Sequence, residues 1–414
     1  MGLGPGTALT TLHHYHCPVT RHIMADPDVD FAGIVISGIS ENYDDKLASA
    51  EAAGNMLQQM KTDGVLIEID GWGNHHVDFV SVFEAVGERG IPAVGLSYLG
   101  QQGRLVCSNS YVGPVIDFNK SPRGYESCIL GENFPDETDA WKALGLLKHR
   151  MPRYRTDTVR HRCGLNRYTL PVKDAVLDTS ACRSRYDTER KTLTLNPCIE
   201  EDLINRYPRL QRIKLSLIRQ EERHQHINTI LDCQPIARKV QGCIGEGDTV
   251  ELGGIVVLLT GAEAETGLQP ANIGSSDGYL DEHVAFNRVG TPRDSDLILH
   301  VDCILCPGES RTSEGIQQAH LAADRILQDI RDGIPDPVQC SSATCIRYRC
   351  CERPGKPRAA LVKMVSGLGA MYDTAVFPNQ PGGMDGAVQM RSRRNMPLRI
   401  TPTQCLDGAI HTLV

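Results

Sequence analysis

Phe31-Ala-Gly-Ile-Val-Ile-Ser37, closed by Gly38 and Ser40, is a short apolar run rich in β-branched residues and reads as a buried strand opening into a loop. Asn42 is a helix cap, and Tyr43, Leu47, Ala50, Ala53, Leu57 and Met60 recur at helical spacing behind it. Asp44 and Asp45 fall in the first turn, where the helix dipole favours negative charge. A second strand, Gly64-Val-Leu-Ile-Glu-Ile69, runs into the polar turn Asp70-Gly-Trp-Gly-Asn74-His-His-Val-Asp78. Phe79, Val80, Phe83 and Val86 form the next helical stripe, stopped by Gly87 and Gly90, and Ile91-Pro-Ala-Val-Gly-Leu-Ser97 gives a third strand. The order is β-α-β-α-β.

Strands joined in this way form a parallel sheet, and open parallel sheets bind ligands beyond the carboxyl ends of their strands. Two polar clusters sit at those ends. Ser37, Glu41 and Asn42 follow the first strand, and Asp70, Asn74 and Asp78 follow the second, so these six residues are the expected substrate contacts. Trp72 between two glycines is an unusual filler for a short turn and marks the same place.

The texture changes further along the chain. The stretch 151–166 is basic and aperiodic and reads as a linker after an α/β domain over 1–150. Short apolar pieces at 168–172, 192–195, 213–217 and 254–259 predict a β-rich domain over 167–290. An α/β pattern returns over 291–414, with strands at 297–302 and 360–365 around a helix marked by Ile316, Ala319, Ala323, Ile326, Leu327 and Ile330. The stretches 333–356 and 378–396 have no clean period and read as loops. The expected fold class is α/β: a parallel-sheet, flavodoxin- or Rossmann-like N-terminal domain, a β-rich middle domain and an α/β C-terminal part.

The chain has 414 residues, 41% of them hydrophobic, enough for a sizeable core and two or three domains. A formal net charge of −8 gives no footing for nucleic acid, and clusters such as Arg391-Ser-Arg393-Arg394 are too short to reverse that. No apolar run approaches membrane-spanning length and the first residues lack signal-peptide character, so a cytoplasmic location is expected. The 15 cysteines are odd in number and scattered, and read as reduced thiols. His13-His14-Tyr15-His16-Cys17 has metal-ligand residue types, yet adjacent histidines on an extended segment point to opposite faces, and no metal ligand set is assigned. Cys303-Ile-Leu-Cys306 is a lone C-x-x-C at a strand end. Gly367-Leu-Gly369 lacks the third glycine of a nucleotide fingerprint.

Several of these blocks carry a family resemblance. Asp30 to Ser37, Asn42 to Ser49, Asp63-Gly-Val-Leu-Ile67, Gly71-Trp-Gly-Asn74 with Asp78, and Arg89-Gly-Ile-Pro-Ala-Val94 resemble the β-subunit portion of component B of glycine/sarcosine/betaine reductase, a family that includes the D-proline reductase proprotein. Residues 168–259, 297–330, Met364-Val-Ser-Gly-Leu-Gly-Ala-Met-Tyr-Asp-Thr374 and Ile400 to Ile410 resemble the upstream α-subunit portion, so the two halves stand in exchanged order. The resemblance implies a subunit that reductively cleaves the C–N bond of a small amino acid, with thiols as electron donor, in an oligomeric complex with a selenoprotein or its cysteine homologue. It also implies a pyruvoyl-type carbonyl made from a junction cysteine. Counting back from Cys17-Pro18-Val19 puts that cysteine at about Gly2, where none stands. Cys17, beside His16, is then the candidate catalytic thiol, or else a packing residue. The alternatives are a catalytically silent binding or assembly relative, a D-proline reductase-type subunit, and a thiol-rich metal-binding protein.

Overall fold

In the computed structural model the described residues are 9–71, 73–151, 161–264, 277–310, 312–365 and 373–413. Trp72, the region of Gly2 and the glycines at 367 and 369 lie outside them. The chain opens with two short helices, α1 (Thr11–Tyr15) and α2 (Pro18–Ala25), followed by β1 (Asp30–Gly38), α3 (Tyr43–Gln59), β2 (Gly64–Ile69), α4 (His75–Glu88) and β3 (Ala93–Ser97). The β-α-β-α-β order predicted from the sequence is therefore present. After β4 (Val115–Asp117) comes α5 (Glu137–Arg150), begun by a capping box between Asp136 and Asp139.

These elements belong to a six-stranded sheet, in which β1 and β2 are not neighbours. The Arg358–Val365 strand lies between them, parallel to both, with Val362 opposite Val35 on one side and Ile67 on the other. The order continues through β3 to β4, and the short Leu398–Ile400 strand closes the far edge antiparallel to β1. A strand read as part of a C-terminal unit from 291 onward is thus the centre of the sheet that opens the chain.

Burial on both faces explains why β1 is a continuous apolar run. Phe31, Ile34 and Ile36 face one core with Leu66, Leu361, Cys17 and Leu144. Ala32 and Val35 face the other with Ala50, Ala53, Leu57, Phe79 and Phe83 from α3 and α4. The α3 stripe holds over Ala50, Ala53, Leu57 and Met60, but Tyr43 is 61% and Leu47 40% exposed. Lys46 and Ser49 turn inward in their place, because Lys46 is ion-paired to Asp78 of α4.

Beyond this sheet lie two four-stranded sheets. One orders Thr229–Gln234, Ile255–Glu263, Leu297–Leu305 and Leu210–Ile218, and the Ser313–Asp332 helix shares its apolar core. The other orders Ala237–Gln241, Gly247–Gly253, His161–Pro171 and Thr344–Cys351. Two sequence expectations change here. Residues 161–166, read as linker, open a strand, and Thr344–Cys351, read as loop, pairs antiparallel with it. In Thr344–Cys351 the alternation of Ile346, Tyr348 and Cys350 with Arg347 and Arg349 is that of a half-exposed strand, but it spans only five residues. The two ends of the described chain meet: the Thr412 amide donates to Thr11 Oγ1 at 2.9 Å, and its hydroxyl donates to the Leu9 carbonyl.

Candidate functional site

The segment 13–17, expected to be extended, is the last part of α1 from His13 to Tyr15, a turn at His16, and Cys17 as the cap of α2. Thr10 Oγ1 caps α1 by accepting from the His13 amide at 3.1 Å, and Cys17 Sγ caps α2 by accepting from the Thr20 amide at 3.5 Å, with Pro18 at the first helical position. A helical turn sends the three histidines to separate partners. His13 Nε2 lies 3.1 Å from the Pro135 carbonyl, His14 Nε2 approaches Asp373 Oδ2 at 3.3 Å, and His16 Nδ1 meets Arg167 Nη2 at 2.9 Å. Burial holds His13 down to about 4 and His16 to about 3, the latter with the help of Arg167, so both rings are neutral. Among the described residues no metal ligand set forms within 13–17.

Cys17 faces the sheet. Thr20 Oγ1 donates to its sulfur at 3.2 Å, and Lys363 Nζ, from the central strand, stands 3.7 Å away. Lys363 also bonds Glu68 Oε1 of β2 at 2.7 Å. Cys405 completes the group: its sulfur lies 3.7 Å from Thr20 Oγ1 and donates to the His14 carbonyl at 3.6 Å. Burial alone raises the Cys17 thiol, but the Cys405 thiol, the Lys363 ammonium and the Thr20 hydroxyl together carry it well below its ordinary value. Cys405 moves the other way, held protonated beside Cys17 and by burial. Burial raises Glu68 to about 7 against the opposing pull of Lys363. The arrangement is two thiols shifted in opposite directions, a fixed cation and a carboxyl near neutrality, with Cys17 0%, Glu68 1% and Lys363 2% exposed. Glu68 Oε2 and Asp373 Oδ1 are buried without hydrogen-bond partners among the described residues.

The six expected crevice residues divide. Asp70 is buried near Asp373, whose carboxyl is raised well above the usual range by burial and then by Asp70. Ser37 meets the Ser49 hydroxyl at 3.1 Å under α3. Asp78 is ion-paired to Lys46 and accepts from the Ser40 amide at 3.4 Å, and burial still raises it to about 6. Asn42 is the cap of α3, accepting from Asp44 and Asp45 amides at 2.9 and 3.3 Å. Asn74 is exposed and gives its carbonyl to Lys46, and Glu41 is exposed. His16 lies apart from all of these, lining a cleft of about 380 Å³ with Arg21, Arg167, Glu251, Arg288 and Arg293. Sequence reasoning missed Lys363, Glu68, Cys405 and Asp373. A lysine and a glutamate inside otherwise apolar strands were the available signals.

Comparison with known proteins matches residues 4–108 to the model of the family described as glycine/sarcosine/betaine reductase component B subunits. Over that span the chain is similar to the component B family. The matched span runs from α1 to β3 and so contains Cys17, Glu68 and all six crevice residues. The D-proline reductase proprotein of Acetoanaerobium sticklandii is 32% identical over 229 residues, 54% of this chain and 36% of that protein. The chain therefore matches just over a third of the length of that proprotein. No solved structure matches the chain.

Proposed function

We propose that this chain is a subunit of a glycine/sarcosine/betaine or D-proline reductase-type complex, in which Cys17 is the reactive thiol. The observation that carries the reading is that the family-matched segment supplies a buried cysteine whose sulfur lies 3.7 Å from the Lys363 ammonium and shares the Thr20 hydroxyl with the Cys405 thiol. In the reaction a dithiol gives two electrons and two protons, the substrate C–N bond breaks, the carbon and the departing amine each take hydrogen, and a disulfide forms. Cys17 and Cys405 have the chemical states for the attacking and the proton-bearing member of such a pair. A selenoprotein or cysteine-containing partner subunit belongs to the same proposal.

The pyruvoyl-type carbonyl does not fit Cys17. Its amide donates to the His14 carbonyl at 3.3 Å and its side chain is wholly buried between α1 and α2, which is no place for a chain-terminal group. The burial of Cys17, Lys363 and Glu68 favours a second reading, a catalytically silent assembly subunit. One experiment separates the two. Purified chain with its partner subunit is incubated with dithiothreitol and glycine, sarcosine, betaine or D-proline, and amine release or ring opening is measured beside intact mass and carbonyl labelling. The enzyme reading expects turnover that is lost in Cys17→Ser. Turnover unaffected by Cys17→Ser sinks the role of Cys17, and no turnover with any substrate leaves the assembly reading standing.

A further inference from the structure

A second buried polar group lies away from Cys17, where three distant segments converge. Asp232 is on the Thr229–Gln234 strand, His320 on the Ser313–Asp332 helix, and His411 on the two-residue Ile410–His411 strand. All three are 0% exposed. Their nearest nitrogen and oxygen atoms lie within 4.8 Å of one another, with His320 Nδ1 3.0 Å from His411 Nε2, and His411 Nε2 3.9 Å from Asp232 Oδ2.

We propose that Asp232, His320 and His411 form a binding site for one divalent transition-metal ion, zinc in the first instance. Tetrahedral zinc with bonds of about 2.0–2.1 Å to nitrogen and oxygen places neighbouring ligand atoms roughly 3.4 Å apart, between the two distances observed here. Two imidazoles and a carboxylate with an open fourth position is a common zinc donor set. His411 is oriented for the task, since its Nδ1 hydrogen-bonds the Gly382 carbonyl at 3.0 Å and so leaves Nε2 as a lone-pair donor aimed at the other two. Asp232 is oriented too. Its Oδ1 accepts from the Thr11 amide at 2.9 Å and the Cys233 amide at 2.8 Å, and its Oδ2 accepts from the Thr11 hydroxyl at 2.7 Å and Gln234 Nε2 at 2.9 Å.

Charge points the same way. The buried carboxylates Glu68, Asp78, Asp324 and Asp407 each have a lysine or arginine partner. Asp232, like Asp373, is paired with neither among the described residues, and a buried anion needs a compensating cation. An ion here ties the Thr11 end of the chain to the His411 end, because Thr11 also accepts from the Thr412 amide. The site is independent of the reductase reading.

The test is metal binding by the purified full-length chain. After chelation and reloading with zinc, gel filtration and elemental analysis are expected to show one zinc per chain, and cobalt substitution is expected to give the visible absorption of a tetrahedral site. His320→Ala, His411→Ala and Asp232→Ala each lower zinc affinity roughly 100-fold or more. Zinc also raises the thermal midpoint of the wild-type protein, a readout that needs no variant to fold. The proposal is overturned when wild-type chain retains no zinc and its melting is unmoved by it, or when folded variants bind as tightly as wild type.

Discussion

Lys363→Met removes the ammonium that bridges Glu68 and Cys17. At 2.7 Å and 3.7 Å each of those attractions is worth about 4–6 kcal/mol at an effective dielectric of about 20, before desolvation is charged against it. Losing one member of a buried pair costs about 3–5 kcal/mol, because the partners stay behind in a dry interior. Lys363→Met is therefore expected to lower unfolding free energy by about 3–5 kcal/mol at pH 8. The loss depends on pH in a defined direction. Glu68 titrates at about 7 even with Lys363 present, above its ordinary value of 4.5. Without the lysine its folded value rises further, so the folded variant holds a proton that the unfolded chain releases. Such a group stabilises the fold below its unfolded value, and that contribution is lost as pH rises through the folded value. The deficit is thus smaller at pH 6 than at pH 8. The double variant Lys363→Met/Glu68→Leu is expected to recover most of it, since an apolar pair of similar volume is nearly neutral. Urea unfolding of all three proteins at both pH values is the assay. A single-variant loss under about 1 kcal/mol, or one independent of pH, refutes the buried-pair reasoning.

Three further outcomes are expected. Lys46→Met leaves Asp78 without its buried partner and lowers stability by about 3–5 kcal/mol, whereas Asn42→Ala, which removes only the α3 cap, costs about 1 kcal/mol; equal losses in urea unfolding contradict the assignment. His76, held at about 4 by burial, stays neutral when folded and charges when unfolded, so it takes stability away as pH falls below 6.5. His76→Gln is therefore expected to lower the slope of stability against pH near 5.5 by about 1 kcal/mol per pH unit, and an unchanged slope in urea unfolding contradicts the burial of that ring. Because α2 also lies in the apolar core with α5, Ile23→Ala is expected to cost about 2–5 kcal/mol, and a loss under about 1 kcal/mol places α2 outside that core.

The opening sheet was legible wherever the signal is local. The apolar period, Asn42 as a cap and the glycines at 87 and 90 place β1, α3, β2, α4 and β3 within a few residues. The neighbour of β1 was not legible, because parallel pairing carries no local mark and the strand that fills the gap begins at Arg358. The thiol site was hidden for the same reason. Cys17 and Lys363 are 346 residues apart in sequence, and each alone reads as an ordinary residue. The two short helices that flank Cys17 do have a local signal, Thr10 as the cap of α1 and Pro18 at the first position of α2. Asn42, Asn74 and Asp78 were read from their loop position, but the cap of Asn42 and the Lys46 pairing of Asp78 give them structural partners first.

The proposed function turns on whether Cys17 takes part in thiol-driven C–N cleavage. The most direct measurement is amine release or D-proline ring opening by the chain with its partner subunit and dithiothreitol, comparing wild type with Cys17→Ser and Cys405→Ser. The account predicts turnover in wild type and its loss in Cys17→Ser. Full turnover in Cys17→Ser contradicts it.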